Sequence, residues 1–123
     1  MNTRIFVKEN ESGYTRYYYA NWRLTDQGMD VIYAGGPTYE RIVKDHGEKG
    51  ATLYMKVYNM TTSFGFTLMR GYLKVSRNPA VKWEEIEPQI LDAIREVHGN
   101  FKIERESVAV RFTRNIRRLT TKK

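Results

Sequence analysis

The chain contains no cysteine. That excludes disulfide bonds, cysteine-ligated zinc and a thiol nucleophile, and it suits a reducing, cytoplasmic compartment. Histidine is scarce as well. His46 and His98 are the two present, on different elements, each at an expected helix end where a donor side chain meets terminal carbonyls. Two histidines without cysteine match no metal-ligand spacing, so neither a metal nor a cofactor is expected. No apolar run approaches the ~20 residues that a membrane span needs. The opening MNTRIFVKENES lacks the apolar core of a secretion signal. Repeats, low-complexity stretches and linkers are absent. The expectation is a cytoplasmic protein with no membrane partner.

Acidic residues are missing from one place in particular. Arg111 to Lys123 holds six of the 21 Lys and Arg and no Asp or Glu, leaving 15 basic against 14 acidic residues in the other 110 positions. Nearly all of the formal charge of +7 therefore sits on one C-terminal segment. A localised basic run marks a place for anions, although a solvated terminus has the same composition. Arg dominates its first part, and Arg grips phosphate bidentately.

What the chain has in quantity is tyrosine, nine of its sixteen aromatic residues. A ring with a hydroxyl suits half-buried sheet faces and binding surfaces. Thr3 to Lys8 reads as a strand with Ile5 and Val7 on one face. Tyr14 to Leu24 is the most β-like stretch. Its even positions, Tyr18, Ala20, Trp22 and Leu24, form the better core face. Its odd positions, Tyr17, Tyr19, Asn21 and Arg23, then fall outward in a row. Met29 to Ala34 reads as a third strand, closing an antiparallel meander.

Gly35-Gly36-Pro37-Thr38 breaks the sheet. It resembles a phosphate loop loosely, without the Lys-Ser/Thr of a P-loop, and a plain turn is the simpler reading. A helix follows, with Tyr39, Ile42, Val43 and His46 on one stripe and Gly47 as its stop. Ala51 to Met60 alternates as a strand, with Leu53, Met55 and Val57 on one parity. Phe64, Phe66 and Leu68 against Leu73 and Val75 read as a hairpin, with Gly71 as a bulge that resets register. Trp83, Ile86, Ile90, Leu91, Ile94 and Val97 give a second helical stripe, interrupted by Pro88. Glu84, Glu85 and Glu87 near its start read as partners of the helix dipole rather than as acid/base groups. Asp26 and Asp30 read as turn formers. Phe101 to Phe112 returns to strand.

The fold expected is α+β: a mostly antiparallel sheet in the order βββ-α-ββ-α-β, with two helices on one face and a basic C-terminal segment. One domain spans residues 1–113, followed by a basic tail at 114–123. No catalytic constellation is present, so a non-enzymatic protein is expected, one that binds anions or nucleic acid. Tyr17 and Tyr19 would stack bases, and Arg23, Arg111, Arg114, Arg117 and Arg118 would hold phosphates. Two other readings fit the same residues. One is a sequestering protein for a small phosphorylated ligand such as a nucleotide signal, in the manner of viral counter-defence proteins. The other is an inhibitor that docks on an acidic protein. The Tyr-rich face also suits a homodimer interface.

Overall fold

Period-two burial builds the first hairpin. Ile5 and Val7 are buried on β1, Arg4–Glu9, between exposed Arg4, Phe6 and Lys8. On β2, Thr15–Ala20, Tyr18 is fully buried while Tyr19 is exposed. The even positions of this strand therefore face the core, as alternation requires. The turn between them is set by Asn10, whose Oδ1 accepts hydrogen bonds from Ser12 Oγ and from the Gly13 and Thr15 amides. The computed structural model describes residues 2–26, 39–60 and 63–105. The expected strand at 29–34, the glycine turn at 35–38 and the whole basic tail lie outside them.

The expected strand from Ala51 to Met60 is instead helix as far as Tyr58. It is the second half of α1, Tyr39–Tyr58. Ile42, His46, Gly50, Leu53 and Val57 are all buried, at spacings of four, four, three and four. That is a helical stripe running through the whole element. The alternation of Leu53, Met55 and Val57 coincided with it, but Met55 is only half-buried.

Gly47 was expected to end the helix, and it ends only the first segment. With φ 80° and ψ 173° it kinks the chain, and the helix resumes at once. No loop separates Gly47 from Gly50. Both glycines admit the segment after β2. A Cβ on Gly47 would lie within 2.8 Å of Asp26 Cγ, and one on Gly50 within 2.8 Å of Thr25 Cβ. The Asp26 amide donates to the His46 carbonyl, as does the Thr25 hydroxyl, both at 3.0 Å.

β3, Ser63–Leu68, and β4, Tyr72–Arg77, form the expected hairpin. Leu68 pairs with Leu73 and Phe66 with Val75, so residues of opposite parity share a face by simple pairing. The irregularity lies at Ser63 and Gly65, and Gly71 belongs to the turn instead of a bulge. α2, Trp83–His98, includes Pro88 within one helix and buries Trp83, Ile86, Ile90, Leu91 and Ile94 as expected. Gly99 closes it, its amide bonded to the Arg95 carbonyl.

Among the described residues, β5, Lys102–Arg105, completes a five-stranded sheet of order β3-β4-β2-β1-β5. It lies parallel to β1, whereas the other three pairings are antiparallel, so the sheet is mixed. Ile5, Val7, Tyr18, Leu73 and Val75 of the sheet pack with Leu53 and Val57 of α1 and the apolar stripe of α2 in one core. Both helices thus serve the same sheet face. Among the described residues, no helix is long and apolar enough to cross a membrane.

The Gly47 backbone occupies a region that is essentially glycine-only. Gly47→Ala should therefore cost at least ~1–3 kcal/mol, the usual penalty for such a conformation, with the Asp26 clash added. Urea denaturation measures it. Ile90→Ala, at a position with no exposure, should lose ~2–5 kcal/mol in the same assay. An unchanged midpoint for Gly47→Ala would mean that the kink is not what holds the loop to α1.

Candidate functional site: the open sheet face

Among the described residues both helices lie on one sheet face, and the other face carries every second residue of each strand. Pairing register lines these residues up. Glu104 of β5 pairs with Phe6 of β1, Phe6 with Tyr19 of β2, and Tyr19 with Tyr72 of β4. Three rings and a carboxylate therefore form one row across four strands. The next row holds Lys8, Tyr17, Lys74 and Thr67. On the opposite flank Arg4 pairs with Lys102. Among the described residues of this face, the cations Arg4, Lys8, Lys74 and Lys102 stand against one acid, Glu104.

Tyr17, Tyr19 and Tyr72 form one ring cluster, with Phe6 beside Tyr19 in the register. Tyr17 and Tyr19 stack at 5.7 Å between centroids with planes 10° apart. Tyr72 lies tilted at 5.5 Å from Tyr19 and 6.1 Å from Tyr17. Lys74 Nζ sits 5.8 Å from the Tyr17 ring, within cation–π reach. Burial, together with the neighbouring Tyr17 and Tyr72 hydroxyls, pushes the Tyr19 phenol up from its ordinary value, so it stays a neutral donor. Phe6 and Tyr19 remain 37% and 36% exposed, enough to offer ring faces to a ligand.

Tyr17 and Tyr19 are thus where alternation put them, but the expected row stops there. β2 ends at Ala20, and Asn21 turns to clamp the start of β1. Its Oδ1 accepts from the Arg4 amide at 2.8 Å and its Nδ2 donates to the Asn2 carbonyl at 2.9 Å. Arg23 falls away from the tyrosines, in a recess of about 290 Å³ with Trp22, Glu48, Lys49 and His98. Arg111, Arg114, Arg117 and Arg118 lie outside the described residues. Sequence reasoning passed over Phe6, Lys8, Tyr72 and Lys74. Their signal was available: each alternates with a core residue, Ile5, Val7, Leu73 or Val75.

The helix-start acids also separate. Glu84 and Glu85 are exposed in the first turn of α2. Glu87 is not a dipole partner in the same sense. It is 6% exposed and takes hydrogen bonds from Tyr18 Oη at 2.9 Å, from Arg16 Nη1 at 2.5 Å and from Arg105 Nη2. Burial alone would raise its carboxyl. The hydrogen bonds from Arg105, Arg16 and Tyr18, with the Arg16 charge, outweigh that and hold it below the ordinary value. Arg16 is paired a second time, to Glu9 at 2.8 Å, and lies 4.7 Å over the Trp83 ring. Arg16, Tyr18 and Arg105 all bond to the one carboxylate, so the cluster reads as a fastener.

The two histidines were expected to meet the terminal carbonyls of their own helices, but both reach the segment after β2. His46 Nδ1 meets Thr25 Oγ1 at 3.1 Å, and His98 Nε2 lies 3.2 Å from the Leu24 carbonyl. Burial depresses the His98 pKa, which favours a neutral ring that donates to that carbonyl. No group of three or more His, Asp or Glu able to hold a metal occurs among the described residues.

Glu87 yields a prediction about pH. A carboxyl depressed in the folded state contributes stability above its unfolded pKa, and that contribution disappears as pH falls through the folded value. Glu87→Gln should cost ~3 kcal/mol at pH 7, the low end for breaking a buried pair, because Arg16 keeps Glu9. The gap from wild type should shrink from about pH 4.5 downward. Urea titrations at pH 7 and pH 3 test this, and a gap independent of pH would contradict it.

No family model, no curated protein and no solved structure matches the chain.

Proposed function

We propose that the protein binds single-stranded nucleic acid on its open sheet face. The observation that carries this reading is the register itself: a continuous row of Phe6, Tyr19 and Tyr72, with Tyr17 beside it, flanked on both sides by cations. Stacking on aromatic rings suits any base, and neighbouring Lys and Arg neutralise the phosphates. A duplex keeps its base faces stacked and inaccessible, so the single-stranded form fits best. Lys8 and Lys74 serve one flank of the strand, and Arg4 and Lys102 the other. The C-terminal cluster of Arg111, Arg114, Arg117 and Arg118 adds further phosphate contacts. The reading assigns no reaction to the protein.

Fluorescence anisotropy with labelled single-stranded and duplex octanucleotides at several salt concentrations tests the proposal. Tyr19→Ala and Tyr17→Ala should each lose ~1–3 kcal/mol of single-strand affinity. Their unfolding midpoints should move much less than that of Tyr18→Ala, whose ring is in the core. Lys8→Gln and Lys74→Gln should each flatten the salt dependence by about 0.7 in slope, one phosphate's share. Deleting residues 114–123 removes five basic side chains and should flatten it further. If Tyr19→Ala leaves oligonucleotide affinity alone but turns a dimer into a monomer by sedimentation, the face is an interface between copies.

A further inference from the structure

The aromatic row ends in a carboxylate, which a surface built only for phosphates and ring faces does not need. Glu104 is the row's fourth member, paired across the parallel strands with Phe6. It meets Arg4 through Nη1–Oε1 contact at 3.1 Å, and both side chains are half exposed. Together with Phe6, Tyr19 and Asn21 they line a recess of about 560 Å³. The recess is shallow and shares Tyr19 with the tyrosine cluster.

Its frame is fixed. Asn21 holds the start of β1 through both ends of its side-chain amide. On the β5 side, the Thr3 hydroxyl donates to the Asn100 carbonyl at 2.7 Å, and the Lys102 amide donates to the Thr3 carbonyl at 2.9 Å. Arg4 and Glu104 therefore project from two strands locked in register. Side by side they present donors next to acceptors.

We propose that this recess is a base-reading subsite selective for guanine, with Phe6 and Tyr19 stacking the ring, Glu104 accepting from its Watson–Crick edge and Arg4 donating to it. The inference rests on the single-strand reading above. A carboxylate only accepts hydrogen bonds, and it has about four lone-pair sites. The structure gives one of these to Arg4. Guanine alone of the four common bases shows two adjacent donors, N1–H and N2–H, beside an acceptor, O6. Those two donors match the two carboxylate oxygens, and O6 falls to the guanidinium. Adenine, cytosine and uracil each offer a single donor position on that edge, so one carboxylate oxygen would face either nothing or another acceptor. Bases splayed from a single strand are read on this edge.

The test uses the full chain and four labelled ribo-octamers: all-uridine, and the same sequence with one central guanine, adenine or cytosine. Guanine should bind about tenfold tighter than the other three, the scale of one good bidentate base contact. In Glu104→Gln the ratio of guanine to uridine affinity should fall toward one, with the thermal midpoint confirming that the variant is folded. Equal affinities for all four octamers in the wild type would overturn the subsite while leaving the single-strand reading intact. A guanine preference that survives Glu104→Gln would also overturn it, since the carboxylate would not be the reader. If none of the four binds, the face itself is not a nucleic-acid surface and both readings fall.

Discussion

A buried carboxylate must have partners, and the partners of Glu87 come from two strands. Arg16 and Tyr18 stand on β2, near the middle of the sheet, and Arg105 on β5 at its edge. Leaving that charge unpaired inside the protein would cost several kcal/mol. α2 therefore has one seat on the sheet, with its N-terminal half over Arg16 and its apolar stripe over Ile5, Val7 and Tyr18. Everything else follows from that placement. It fixes which sheet face the two described helices cover, brings β5 alongside β1, and leaves Tyr17, Tyr19 and Tyr72 on the other face.

Those elements whose burial has one clear period could be read from the sequence. The apolar stripe of α2 was plain because six apolar side chains recur at helical spacing. Tyr18 could be separated from Tyr17 and Tyr19 because a strand alternates. Ala51 to Met60 could not be read, because its buried residues satisfy the helical period across Gly47 and mimic the strand period after it. A glycine that stops one helical segment does not forbid another from starting. The parallel pairing of β5 left no local trace, since neither strand's own pattern says which neighbour it will take.

Glu87 was misread for an instructive reason. Its neighbours Glu84 and Glu85 are ordinary first-turn acids, and composition groups the three together. Spacing does not. Position 87 is four residues after Trp83 and three before Ile90, so it falls on the buried stripe, where a lone acid needs a basic partner on the facing element. Arg16, on the even and inward-facing parity of β2, was that partner. The residues of the candidate face were legible in the same way. Reading the polar parity of every strand, and not only the tyrosine-rich one, would have gathered Phe6, Lys8, Tyr72 and Lys74 with Tyr17 and Tyr19.

The parallel contact between β1 and β5 has a mechanical consequence. The two strands lie side by side and point the same way, one near each end of the described chain. A force that draws Thr3 and Arg105 apart acts along the strands and loads their hydrogen bonds together, in shear. An antiparallel pairing of the same two strands would be peeled open one bond at a time. The sheet edge that carries Arg4 and Glu104 is thereby also built to resist a pull applied at Thr3 and Arg105.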